Sequence, residues 1–152
     1  MTRQHLLTAA EIEALAGNAS HHPVSEKVSR VTKSLGDPTG LTAMGVHLFE
    51  TAPGADSTAF HFHHFEDEAV YVLSGTGEAQ IGDEIFEIGP GDFMGHPKAG
   101  AAHILRNTGK EPLRCLIMGE RADHDVVDYP HANLRLTQTT GQDEIWEPLE
   151  KD

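Results

Sequence analysis

Eleven histidines stand among 152 residues, and three of them, His61, His63 and His64, fall within the single run FHFHHFEDEAVYVL. Histidine is the commonest metal ligand and the side chain whose proton exchanges near neutral pH. In an extended strand, residues two apart share a face, so His61 and His63 project to one side while Phe60 and Phe62 project to the other. A tight connection through Phe65, Glu66 and Asp67 returns the chain antiparallel and brings Glu68 opposite the pair. Two imidazole nitrogens and one carboxylate on a rigid sheet form a facial set suited to iron, manganese and related divalent ions. Glu66 and Asp67 compete with Glu68 for the carboxylate position, and spacing favours Glu68. The plain alternative is a half-exposed strand edge whose histidines are only polar surface. His64 points away from the pair, toward solvent or behind the ligands, unless a bulge turns it inward.

Such a cluster needs a rigid frame, and the text from residue 41 onward supplies one. Short apolar runs separated by Gly, Pro and Asp clusters predict strands over 42–51, 58–64, 68–74, 77–81, 84–88, 92–96, 102–108, 112–119 and 133–137, the pattern of an all-β sandwich or barrel. The turns are marked by Ala52-Pro53-Gly54, Ser74-Gly75-Thr76-Gly77, Gly82-Asp83, Gly89-Pro90-Gly91-Asp92 and Asn107-Thr108-Gly109. Ahead of the barrel, Thr8 and Glu11 have the spacing of a capping box, with Ile12, Leu15 and Ala16 behind them and Gly17 as a stop, so a short helix is predicted over 8–16. Residues 17–40 mix turn formers with a weak Val28/Val31 pattern and read as an irregular or edge segment wrapping the domain. His21 and His22 read there as loop histidines.

A second segment, PKAGAAHILRN, begins a strand at His103 after a Gly-rich turn and carries Asn107 four residues later. With it the chain resembles the cupin superfamily, whose two motifs are matched in order. Gly54, His61, His63, Glu68 and Gly75 follow the first, with four residues before the Glu and six after it. Gly91, Pro97, Gly100, His103 and Asn107 follow the second, and residues 76–90 separate the two. One extra residue lies between Gly54 and His61 and another between Pro97 and Gly100; both fall in turns. The resemblance spans about residues 41–120. It implies a double-stranded β-helix, or jelly-roll barrel, here with a short N-terminal helix, and one divalent transition metal (Fe, Mn, Ni, Co or Zn) held inside it by His61, His63, Glu68 and His103. His47, His64, His96 and Asn107 are further candidates to line the cavity or support the ligands. No catalytic residue stands out.

The expected organisation is a helix and wrapping arm over 1–40, the barrel over 41–120, and a C-terminal extension over 121–152 that packs on the barrel or on a dimer partner, with Trp146 as a packing anchor or dimer contact. The net charge of −13, from 24 acidic against 11 basic residues, disfavours nucleic acid and anionic membrane as partners. No stretch approaches the ~20 apolar residues of a membrane span. The opening run MTRQHLLTAAEIEALAG lacks the build of a leader, and the lone Cys115 cannot form an internal disulfide, so a cytoplasmic setting is expected. Cys115 reads as a small buried apolar residue.

The expected partners are a small-molecule ligand and a second copy of the chain. Alternation places Val70, Val72, Leu105 and Asn107 inward and Tyr71 and Arg106 outward, so the barrel segment offers no inward Arg or Lys. The expected ligand is therefore a small neutral or singly charged oxygen chelator and not a sugar phosphate or nucleotide sugar. Three function classes fit: a metal-dependent enzyme (dioxygenase, decarboxylase or isomerase) for a carboxylate, enol or diol substrate; a non-catalytic ligand-binding or regulatory protein; and a sugar isomerase or epimerase.

Overall fold

Strict alternation fixes the strands that carry the candidate ligands. In Glu68–Ser74, Val70 and Val72 are fully buried while Tyr71 and Leu73 are exposed, so the side chain of Glu68 shares the inward face. The computed structural model describes residues 5–150. In chain order the elements are α1 (Ala9–Ala14), β1 (Asn18–His22), β2 (Ser25–Ser34), α2 (Gly36–Thr39), β3 (Met44–Thr51), β4 (Phe62–His63), β5 (Glu68–Ser74), β6 (Gly77–Ile81) and β7 (Glu84–Ile88). They continue with β8 (Phe93–His96), β9 (His103–Arg106), β10 (Leu113–Glu120), β11 (His124–Tyr129), a 3-10 turn at Pro130–Ala132, β12 (Leu134–Thr139) and β13 (Ile145–Pro148). All named strand pairs are antiparallel.

The strands form a six-stranded sheet in the order β1-β2-β3-β10-β5-β8, a four-stranded sheet β13-β12-β11-β4 and a three-stranded sheet β7-β6-β9. Phe49, Val70, Val72, Ala79, Ile88, Met94, Leu105, Leu113 and Cys115 make one apolar core between the six- and three-stranded sheets. Each large member contributes about 1.5–3 kcal/mol by leaving water. Ala59, Val127, Tyr129 and Leu136 form a second cluster under the four-stranded sheet. The all-β barrel expected from the strand pattern is thus present. The turn before β6 requires a glycine: Gly75 has φ +83°, and a Cβ there would lie 2.5 Å from the Pro112 carbonyl oxygen.

The largest departures lie outside the barrel segment. Residues 17–40, expected to be an irregular or edge segment, contain β1 at the sheet edge and the ten-residue β2, which joins the main sheet beside β3 with Arg30 opposite Thr51 and Thr32 opposite Phe49. Its inward positions, Val28, Arg30, Thr32 and Ser34, are mostly polar. The apolar contrast that marks a half-buried strand is therefore missing from the sequence. Downstream, one strand was expected and three occur: β11, β12 and β13, the last carrying the acidic tail as an edge strand. In the predicted strand 58–64 only Phe62 and His63 join a ladder, with His61 bridged singly to His103. The capping box of α1 is present, Thr8 and Glu11 each bonding the other's backbone, and the helix stops at Ala14, earlier than predicted. No helix among the described residues is long and apolar enough to cross a membrane.

Candidate metal centre

His61 and His103 face each other across a narrow two-way bridge, the His61 N–H reaching the His103 carbonyl at 3.2 Å and the His103 N–H the His61 carbonyl at 2.8 Å. β4 follows at once, and β5 pairs with β8 so that Glu68 lies opposite His96. The His61 Nδ1 lies 2.8 Å from the Ala59 carbonyl. Only a protonated Nδ1 can bond there, so the Nε2 lone pair is left free. His63 is fixed in the same sense by the carboxylate of Asp125, whose Oδ2 lies 2.6 Å from Nδ1, while its Nε2 stands 3.8 Å from Glu68 Oε2. The other Glu68 oxygen lies 3.1 Å from His103 Nε2.

The candidate donor atoms of His61, His63 and Glu68 all lie within 4.8 Å of one another, and those of Glu68, His96 and His103 do so as well. The four residues expected as ligands therefore meet in two overlapping groups that share Glu68. His96, a candidate to line the cavity or support the ligands, is buried and stacked on His103 at 3.5 Å between ring centroids and 6° between planes. His103 Nδ1 and His96 Nε2 are both buried without a hydrogen-bond partner. Lone pairs aimed inward from two imidazoles, one carboxylate and an unsatisfied buried imidazole fit a divalent transition ion.

The protonation states agree with that fit. Burial, followed by the charge of His103, pushes His61 down to about 3, and the same two causes push His96 down to about 4. Burial works to raise Glu68, but the His103 hydrogen bond and the surrounding imidazoles outweigh it and hold the carboxyl at about 2. At neutral pH His61 and His96 are thus neutral and Glu68 is ionised, the forms a metal requires. His63 is raised: burial opposes this, and the Asp125 bond and Glu68 override it.

A cavity of about 270 Å³ opens beside His61, His63, Glu68 and His103. His64 is outside it, bonding Asp128 at 2.9 Å. His47 does not line it either; it sits beside Arg121 near Gly45, because β3 carries it past the cavity's end. Asn107 is wholly buried but acts as a clamp, donating to the Thr51 and Glu111 carbonyls at 2.8 Å each and accepting from the Gly109 N–H. Cys115 lies in the core, its thiol pushed up to about 12 by burial.

The expectation of a cavity without an inward cation is overturned by Arg30, which reaches the cavity wall from β2. Lys98 and Arg114 are both turned outward, to Glu120 and to Glu50. The sequence reading also missed Asp125 behind His63, and Tyr129 and His22 on the wall. Trp146 stacks on Tyr129 at 5.6 Å. Alternation within residues 25–34 was the available signal for Arg30. For Asp125 there was none, since β11 meets β4 only through the tertiary fold.

The cupin domain family model matches residues 47–119. A crystal structure of a candidate sugar phosphate isomerase from Acidithiobacillus ferrooxidans superposes with a TM-score of 0.92 at 46% identity, covering 98% of this chain and 95% of that one. The chain belongs to the cupin superfamily. A sugar phosphate isomerase of that superfamily from Silicibacter pomeroyi gives a TM-score of 0.79 at 24% identity over 88% of this chain and 86% of that one. A cupin-2 domain from Rhodospirillum rubrum gives 0.62 at 25% over 72% and 71%. No curated protein matches.

Proposed function

We propose that the chain is a metal-dependent isomerase for a small, sugar-like carbonyl substrate, its ion held by His61, His63, Glu68 and His103. The observation that carries this reading is the donor set at the wall of the cavity, with the Nε2 atoms of His61 and His63 left free by bonds at their Nδ1 atoms. The name borne by the 46%-identical Acidithiobacillus ferrooxidans protein supports the choice of isomerisation over the other cupin chemistries. A bound divalent ion would supply Lewis-acid polarisation of carbonyl and hydroxyl oxygens.

The chain's own groups do the rest. Tyr129, whose phenol is pushed up to about 12 mainly by burial, keeps its proton at neutral pH and donates to a substrate oxygen. His22 accepts the Val24 N–H at Nδ1, which leaves Nε2–H as a donor at the wall. Phe49, Val70 and Leu105 close the floor and exclude water. At about 270 Å³ the cavity falls just below the ~300–1,000 Å³ of ordinary ligand sites, a size for one monosaccharide and too small for a nucleotide sugar.

Elemental analysis after reconstitution with Fe, Mn, Ni, Co and Zn salts should give about one ion per chain. NMR of the loaded protein with aldose and ketose substrates in deuterated water should show interconversion. His103→Ala should weaken metal retention while His64→Ala does not. Retention below about a tenth of an equivalent, or no turnover of any sugar by a fully loaded protein, would refute the reading.

A further inference from the structure

We propose that Arg30 is the specificity-determining residue of this cavity, anchoring a terminal phosphoryl group on the substrate while the sugar oxygens face His61, His63 and Glu68. The inference rests on the reading of the cavity as a substrate site. Arg30 stands out among the described arginines. Arg106 pairs with Asp56 at 2.7 Å, Arg114 with Glu50 at 2.8 Å, Arg121 with Asp37 at 2.6 Å and Arg135 with Asp128 at 2.6 Å. Arg30 has no carboxylate within ion-pair distance among the described residues, and its Nε is buried without a hydrogen-bond partner; the Arg114 Nε is also buried without one, but Glu50 stands beside it.

Burial penalises the Arg30 guanidinium and the charge of Glu68 offsets this only in part, so an arriving anion is favoured. In a chain with 24 acidic residues a lone inward arginine is not a product of composition. Its position is also held: the guanidinium carbon lies 5.7 Å from the centre of the Phe49 ring, a cation–π contact, and both residues line the cavity. β2 places it there by register, since Arg30 lies opposite Thr51 and shares the inward face with Val28. Guanidinium forks match phosphoryl oxygens bidentately, and Lys cannot reproduce that geometry.

The test uses the full chain, metal-loaded and metal-free, titrated by calorimetry with ribose 5-phosphate and with ribose. The wild type should prefer the phosphorylated sugar by about 10–100-fold, the range for charge-assisted bonds to one group. Arg30→Met should abolish that preference while leaving the metal content and the affinity for ribose unchanged. Arg30→Lys should retain part of it, and serves if Arg30→Met does not fold. The ligand-free melting temperature of Arg30→Met should not fall, because loss of the Phe49 contact is offset by removal of a charge that burial penalises. A wild type without the preference, or an Arg30→Met chain that keeps it, would overturn the proposal. A chain that binds no metal yet shows an Arg30-dependent preference would sink the metalloenzyme reading and leave this one standing.

Discussion

Replacing Asp125 by Asn removes one charge from a site it does not line and should still loosen the metal. Asp125 is 3% exposed, and its two oxygens are committed, Oδ2 to His63 Nδ1 at 2.6 Å and Oδ1 to the Phe65 N–H at 3.0 Å. An Asn side chain has one acceptor. If its oxygen stays with Phe65, its amide N–H₂ faces His63 Nδ1, which must then accept; the proton moves to Nε2 and blocks the lone pair a metal needs. If the amide flips, the Phe65 N–H is orphaned. A charge-assisted bond of this length is worth about 1.5–3 kcal/mol, which at ~1.4 kcal/mol per tenfold is about 10–150-fold in metal affinity. That agrees with the ~10–100-fold typical of carboxylates behind ligating histidines. Competition titration of wild type, Asp125→Asn and His64→Ala against a chelator measures it, His64 serving as a control because it bonds Asp128 away from the cavity. An Asp125→Asn affinity within threefold of wild type would show that Asp125 does not set the His63 tautomer.

The metal-free protein should lose stability on acidification from about pH 6.5 to 4. His61 and His96, held at about 3 and about 4 in the fold, bind protons first in the unfolded chain, while His63, raised, opposes them with stability that is present below 6.5 and fades above it. Below 6.5 His63 is protonated in both states and adds no slope, so His61 and His96 together leave a net loss approaching about 2.8 kcal/mol per pH unit. Glu68, held at about 2, contributes above its ordinary value of 4.5 and steepens the loss below it; thermal melts flat between pH 6.5 and 4 would contradict this. Gly75→Ala should destabilise by about 1–3 kcal/mol in denaturant titration, through its left-handed backbone and the clash with Pro112. Light scattering should give a homodimer, because Tyr71, Leu73 and Phe93 are 39%, 44% and 63% exposed on the outer face of the six-stranded sheet; a monomer at micromolar concentration would refute it.

Alternation and turn residues were enough to place β5, β6 and β7, because each of these strands lies between well-marked turns and β5 buries every second side chain. The same local rule put His61, His63 and Glu68 on one face, since residues two apart and a tight return depend only on neighbouring backbone. It could not reach β2, whose inward Arg30, Thr32 and Ser34 erase the apolar contrast while main-chain pairing with β3 holds the strand in place. Nor could it find Asp125, which is 62 residues from His63 and meets it only because β11 pairs with β4. His96 was a candidate to line the cavity or support the ligands, but only the β5–β8 register sets it beside Glu68 and stacks it on His103. Local periodicity thus placed His61, His63 and Glu68 together, whereas the long-range pairing of β2, β8 and β11 decided what surrounds them: the cation on the cavity wall, the carboxylate behind His63 and the imidazole against His103.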